Sequence, residues 1–379
     1  MVKNLKNIFL ILSIFSCCTL VQSAPINEEL SSIGKKVNAN IDIIKKAFKQ
    51  SPKSAFCPLR TNVSYAPTID DPQVIAQDVE GMIPIIKKYS PVLYLCNELY
   101  YPIAVEDLFT APGTQLVFGG QTIVVPKGQV TMEKIYENRT KYSGRDYFFQ
   151  IDECTRSGSD PKRFSDWQGN ITAPIYATWS KHNGKIYIVY VFIYGFNGAY
   201  PVSMPVKGAH DFDLEHITLE LNANKELERI FFAAHTSREG SWLSANHKSI
   251  KYEGTHPVVH VAQTGHGSYP DDGTYVRIYG FGNDITCKTK KWIPQVVLVY
   301  PEEDPRFNAK TMGWSAHSGD YGQGIGSFKR FFNGADDLPK GQPYDNVLFC
   351  PNPSDPDSKL DLIGYQLCIE KKRLKAKIP

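Results

Sequence analysis

In the stretch from Gly208 to Leu221, Gly-Ala-His-Asp-Phe-Asp-Leu-Glu-His-Ile-Thr-Leu-Glu-Leu, three carboxylates recur at every second position. Read as a β-strand, Asp211, Asp213 and Glu215 share one face at spacings of about 7 Å, and Ile217, Leu219 and Leu221 continue that face as an apolar floor. No Lys or Arg stands between Lys207 and Lys225, so nothing nearby in sequence offsets the repulsion among the acids. A bound cation would. A turn at residues 222–225 folds the next strand, 228–236, back antiparallel and brings His235 beside Asp213 and Glu215. Carboxylate oxygens with an imidazole suit a hard or borderline divalent ion, Ca²⁺, Mg²⁺, Mn²⁺ or Zn²⁺. The expected metal ligands are Asp213, Glu215 and His235, with His210, Asp211 and His266 on the side of a bound molecule. The alternative is a solvated strand end whose acids face water.

All nine histidines lie between His182 and His317. By the alternation, His216 points to the face opposite Asp213 and Glu215, which predicts a packing role rather than a ligand. Other chemistries find no support in the residues. Glu215-His216 lacks the H-E-x-x-H spacing of a zinc protease, no G-x-S-x-G elbow presents a serine, and Gly322 to Lys329 does not match a phosphate-binding loop.

The elements that must position this stretch are mostly strands. Hairpins are expected at 115–126 about Gly119-Gly120, and at 176–196 about Asn183-Gly184, a pair that supplies positive backbone angles. The second arm, 185–196, is apolar on both faces, as in a central strand covered on both sides. Short strands follow at 257–263, 275–279 and 295–300, with a Gly-rich aromatic closing loop at 312–326 and a basic tail at 371–377. Before them, residues 27–49 carry apolar side chains at helical spacing, 52–72 reads as a linker, and 73–89 as a second helix. The fold class expected is mostly β: an antiparallel β-sandwich with an N-terminal helical segment, disulfide-bonded. The expected division is a signal peptide over 1–23, a helical segment and linker over 24–88, the sandwich over 89–350 and a C-terminal extension over 351–379.

Lys3 and Lys6, an apolar run from Ile8 to Val21 and then Gln22-Ser23-Ala24 give the charge, length and small-residue end of a secretory signal. Its removal leaves 40 basic against 39 acidic residues, a balance that does not point to nucleic acid. Cys57, Cys96, Cys154, Cys287, Cys350 and Cys368 then remain, an even set read as three disulfides of open pairing in an oxidising lumen. Asn62, Asn138 and Asn170 each begin an N-glycosylation acceptor. These features predict a secreted or vacuolar/lysosomal-lumen glycoprotein, with the oligomeric state left open.

Tyr89-Ser-Pro-Val-Leu-Tyr-Leu, Glu98-Leu-Tyr-Tyr-Pro, Asp213-Leu-Glu-His-Ile, His235-Thr-Ser-Arg-Glu-Gly, Pro257-Val-Val-His-Val-Ala and Gly265-His-Gly-Ser-Tyr-Pro together resemble the vacuolar protein sorting-associated protein 62 family over about residues 89–322. More distantly, His210 to Glu215 is similar to the His-x-His-Asp-Trp-Glu region of the necrosis- and ethylene-inducing peptide toxins. Those are secreted β-sandwiches that use a divalent ion to bind a sphingolipid sugar head group. Here His210, Asp213 and Glu215 match, while Phe212 and Leu214 replace the second histidine and the tryptophan. What the residues and the resemblance imply is a metal-assisted binder of glycan or lipid head groups with peripheral membrane contact. The alternatives are a metal-dependent hydrolase, or a structural or sorting protein of the secretory or vacuolar lumen.

Overall fold

The computed structural model describes residues 65–98, 100–156, 171–198, 209–277, 282–322, 328–332, 342, 344, 347–352 and 362–376. The signal segment, the helix expected at 27–49, Cys57, the Cys154 side chain, Asn62 and Asn170 lie outside the described residues.

The first strands are β1 (Val92–Leu95), β2 (Gln115–Phe118), β3 (Thr122–Val125), β4 (Gly144–Gln150), β5 (Ile175–His182) and β6 (Lys185–Asn197). Next come β7 (His210–Leu221), β8 (Leu227–Ala234), β9 (Thr236–Ser244), β10 (Tyr252–Glu253), β11 (His256–Val261) and β12 (Ser268–Tyr269). The chain continues through β13 (Gly273–Tyr275), β14 (Asp284–Thr286), β15 (Lys290–Trp292), β16 (Val296–Leu298), β17 (Gly319–Asp320) and β18 (Phe349–Pro351). The central sheet has the order β16-β5-β6-β7-β8-β9, so the acidic strand β7 sits between two long neighbours. Asn183 and Gly184 both take positive φ and close the β5–β6 hairpin, as their sequence predicts.

The central sheet buries both faces. On β6, Ile188, Tyr190, Phe192 and Tyr194 enter one core with Leu93, Leu95, Val259 and Trp292, while Val189, Val191 and Ile193 enter a second with Leu116, Phe149 and Trp314. Strand β1 and its partners β11 and β15 therefore cover one face, and the β17-β4-β2-β3 sheet covers the other. The expected mostly β, disulfide-bonded layering is present. The pairing is mixed rather than antiparallel throughout, since β1–β11, β5–β16 and β4–β17 are parallel. Parallel neighbours need crossover connections, which leave no short turn signature in the sequence.

The helix expected at 73–89 is broken into Pro72–Ala76 and Ile83–Tyr89. Gly81 takes φ +62°, and the Asp78 carboxylate accepts from the amides of Met82 and Ile83, which starts the second helix afresh. Met82, Ile83, Ile86 and Tyr89 are then packed into the first core. The loop expected at 312–326 puts Trp314 and Tyr321 into the second core and adds β17 to β4, so it closes the fold as far as it is described. Two disulfides are present among the described residues, Cys96–Cys287 and Cys350–Cys368, the latter tying helix Leu362–Ala376 to β18. No described helix is long and apolar enough to cross a membrane.

Candidate acidic site

Strand β7 alternates as its sequence requires. Ile217, Leu219 and Leu221 lie in the first core, and Asp213 and Glu215 continue the same row, each 6% exposed. Tyr194 stands directly across from Asp213 on β6. His216 lies on the other face between the rings of Phe231 and Phe331, at 5.9 and 4.9 Å. That placement agrees with a packing role.

The structure gives the acids cations and donors that sequence neighbours do not supply. Arg156 pairs with Asp211 at 2.6 Å, from the short helix Glu153–Arg156. His266, fully buried, places Nδ1 2.9 Å from Asp213 Oδ2 and Nε2 3.1 Å from the Tyr100 carbonyl. Each ring nitrogen thus faces an oxygen, so either the ring donates from both or the Asp213 carboxyl carries the shared proton. The Tyr194 ring stacks on His266 at 3.7 Å and 4°. Glu98 holds the loop that carries His266, accepting from the Thr264 amide at 2.9 Å and the Tyr100 amide at 3.2 Å.

His235 ends up elsewhere than the register alone suggests. The β8–β9 pairing shifts between Phe232 and Ala234, His235 takes φ +50°, and its Nε2 bonds to Asp284 Oδ2 at 2.6 Å. Asp284 also receives the Tyr269 hydroxyl, and Arg277 at 3.3 Å. Burial pushes the Asp284 carboxyl up, but His235, Arg277 and Tyr269 outweigh it and hold it below the usual carboxylate range. His210 is engaged too, with Nδ1 2.6 Å from the Phe212 carbonyl and Nε2 3.0 Å from Asn197 Nδ2, which fixes the Nδ1–H tautomer.

Glu215 is the exception. Burial, then the Asp213 charge, push its carboxyl well above the ordinary 4.5, while Arg330 and Arg277 pull the other way. No described residue donates a hydrogen bond to it. The backbone around the site is unusual as well, with positive φ at the non-glycine residues Phe212, His235, Thr264 and His266. Such conformations cost on the order of 1–3 kcal/mol each and gather where surrounding structure imposes them. Gly322 passes so close to β7 that a Cβ there would meet the Asp211 carbonyl at 1.9 Å.

The donor set fits a hard cation in part. Two carboxylates stand together, and the buried Tyr194 hydroxyl and Asp284 Oδ1 have no hydrogen-bond partner. Yet among the described residues no three His, Cys, Asp or Glu side chains are grouped to hold a metal ion. Asp213 and Glu215 are brought together, His266 joins them, Asp211 goes to Arg156, and His235 goes to Asp284. Glu98, Arg156 and Asp284 were not legible as site residues, because each arrives from at least 49 positions away without a local pattern.

His317 shows how burial bears on acid stability. It is fully buried, its ring 4.6 Å from Tyr147, and burial pulls its pKa from 6.5 down to about 4. The unfolded chain therefore takes up the proton first, and stability falls as pH drops below 6.5, levelling off near 4. His317 alone should remove about 2 kcal/mol between pH 7 and pH 5. Urea melts at both pH values should show that loss, smaller by about 2 kcal/mol in His317→Gln whatever its starting stability. An equal loss in both proteins would contradict the assignment.

A family model described as vacuolar protein sorting-associated protein 62 matches residues 74–291, more than half of the 379. No curated protein matches. Similar solved structures include NLPPya in complex with mannosamine, at 11% identity and TM-score 0.34, covering 75% of this chain and 90% of that chain. Necrosis and Ethylene inducing Protein 2 from the causal agent of cocoa's witches' broom disease is 13% identical at TM-score 0.31, covering 75% and 89%. The non-toxic HaNLP3 protein is 12% identical at TM-score 0.32, covering 67% and 89%. With the matched segment running from before β1 into β15 and containing the whole acidic strand, the chain belongs to the vacuolar protein sorting-associated protein 62 family.

Proposed function

We propose that this chain is a binding module of the secretory or vacuolar lumen in which Asp213 and Glu215 hold one divalent cation, and the cation takes oxygen atoms of a glycan or lipid head group. The observation that carries this reading is Glu215, a buried carboxyl beside a second carboxyl, with no described hydrogen-bond donor and a pKa driven up by both. A group in that position is stable either with a proton or with a cation. When bound, the ion would neutralise the pair and supply open positions for hard oxygen ligands. His235 would join only by giving up Asp284, so the two carboxylates are the core of the proposed site. The leader-like start of the chain, the two disulfides and the family support the luminal setting.

The hydrolase alternative needs a histidine nitrogen open to substrate, and His210 and His266 both have their two nitrogens engaged. The test is a screen of the full chain against glycans and against liposomes bearing anionic or sugar head groups, with Ca²⁺ present and after chelation. Binding should disappear with chelator and in Glu215→Gln. Binding that survives both would remove the ion from the account.

A further inference from the structure

A cavity of about 180 Å³ opens where β16 stops pairing with β5. Their last register pair is Leu298 with Ala177, the Val299 amide adds one bond to the Ala177 carbonyl, and Pro301 then turns the chain aside. Thr178 and Trp179, on opposite faces of β5, have no strand beside them on that edge, and both line the cavity. Glu80, from the break between helices Pro72–Ala76 and Ile83–Tyr89, closes it together with Asp304 and Arg306. The whole lining falls within the described residues. Two of its hydroxyls belong to deeply buried residues, Thr178 at 4% and Tyr300 at 8% exposure, and no described residue hydrogen-bonds to either. Both oxygens keep accessible surface, unlike that of Tyr194. Hydroxyls so placed call for a polar occupant.

Arg306 is the one cation of the lining. It spends Nε and Nη2 on Asp304 at 2.9 and 2.7 Å and Nη1 on Glu80 Oε2 at 3.0 Å. Two carboxylates thus share one guanidinium, which leaves an excess negative charge with Glu80 Oε1 outside the pairing. The charges of Asp304, Asp78 and Glu80 act on the Tyr300 hydroxyl against that of Arg306 alone. The neighbouring lysines are turned elsewhere, Lys225 Nζ to the carbonyls of Glu80 and Gly81, and Lys181 to the Trp179 ring at 5.5 Å.

We infer that this cavity binds a primary alkylammonium group through Glu80, Thr178 and Tyr300, with the alkyl chain against Trp179, Leu298 and Pro301. An ammonium has three N–H donors and no acceptor, which matches one free carboxylate oxygen and two hydroxyl oxygens. A divalent metal ion fits less well, because both Asp304 oxygens are held by Arg306 and too few hard oxygen ligands remain. The volume equals that of roughly six liquid waters, enough for the end of one short aliphatic chain. The site lies apart from Asp213 and Glu215 in its lining, and the inference does not depend on the cation proposed there.

Calorimetric titration of the full chain at pH 7, in chelator, with n-butylamine, Nα-acetyl-lysine amide and n-butanol tests this. The lysine amide distinguishes a protein side chain from a free amine as the source of the ammonium. A saturable millimolar affinity is expected for at least one of the two amines, none for the alcohol, and no change in Glu215→Gln. Thr178→Val and Tyr300→Phe should each weaken amine binding roughly tenfold while leaving the melting temperature in place, since each removes a hydroxyl that has no partner to lose. Glu80→Gln should abolish it, because the excess charge goes while Asp304 still holds Arg306. No saturable binding of either amine, leaving the cavity to water, overturns the inference. So does equal binding of the alcohol, or amine binding that all three cavity variants keep. Because every arm is run without free metal, these outcomes stay distinct from failure of the acidic pair.

Discussion

Glu215→Gln should make the ion-free chain more stable at pH 7 than the wild type and erase its response to divalent cations. In the wild-type fold the Glu215 carboxyl has a raised pKa, so its stabilising contribution is complete below the ordinary 4.5 and is lost as pH rises toward the folded value. Gln keeps the shape and has no proton to lose, so the pH-dependent loss above 4.5 should flatten. A cation reverses the balance for the wild type alone. At a hundred times its dissociation constant it should add about 3 kcal/mol. Glu220→Gln is the control, because Glu220 lies on the other face of β7 and pairs with Arg229. That variant should keep the cation response. Melting curves of the three proteins, in chelator and in excess Ca²⁺, Mg²⁺, Mn²⁺ or Zn²⁺, read the effect directly.

The second large effect is expected at Cys96–Cys287. This bridge joins the end of β1 to the residue after β14 across 191 positions of chain. Closing so long a loop in the unfolded state lowers its entropy by an amount worth about 5 kcal/mol, against about 3 kcal/mol for the 18-residue separation of Cys350–Cys368. It also anchors Leu95 and the β1 edge of the first core against the sheet that carries Asp284. Replacing both cysteines by serine should therefore lower the unfolding free energy by about 4–5 kcal/mol, measured by urea denaturation under non-reducing conditions. A loss below about 1 kcal/mol would mean that the sheets are held together without the bridge.

Much of the scaffold is legible in the sequence, because period-two patterns report the two faces of a strand. The row from Asp213 to Leu221, the double-faced apolarity of β6, the Asn183-Gly184 turn and the opposite placement of His216 all follow from alternation and turn chemistry. The contents of the site are less legible. Whether a carboxylate meets a cation depends on which distant segment folds over it, and Arg156, Glu98 and Asp284 reach the site through crossovers and loops. Strands as short as Asp284–Thr286 are too brief to show a period. His235 is the instructive miss. The hairpin register carries it toward Asp213, but a register shift and a left-handed backbone at that residue turn its ring to Asp284.

Proton release on ion binding tests most directly whether Asp213 and Glu215 hold a cation. Burial and the Asp213 charge raise the Glu215 carboxyl and so favour its protonated form in the ion-free fold, and a ligating carboxylate must give the proton up. Calorimetric titration of chelator-stripped protein with each divalent ion, repeated in buffers of different ionisation enthalpy, counts the protons released. One ion should bind with net release of protons, and neither should occur in Glu215→Gln. Saturable binding of no divalent ion, or binding without proton release that Glu215→Gln leaves intact, would contradict it.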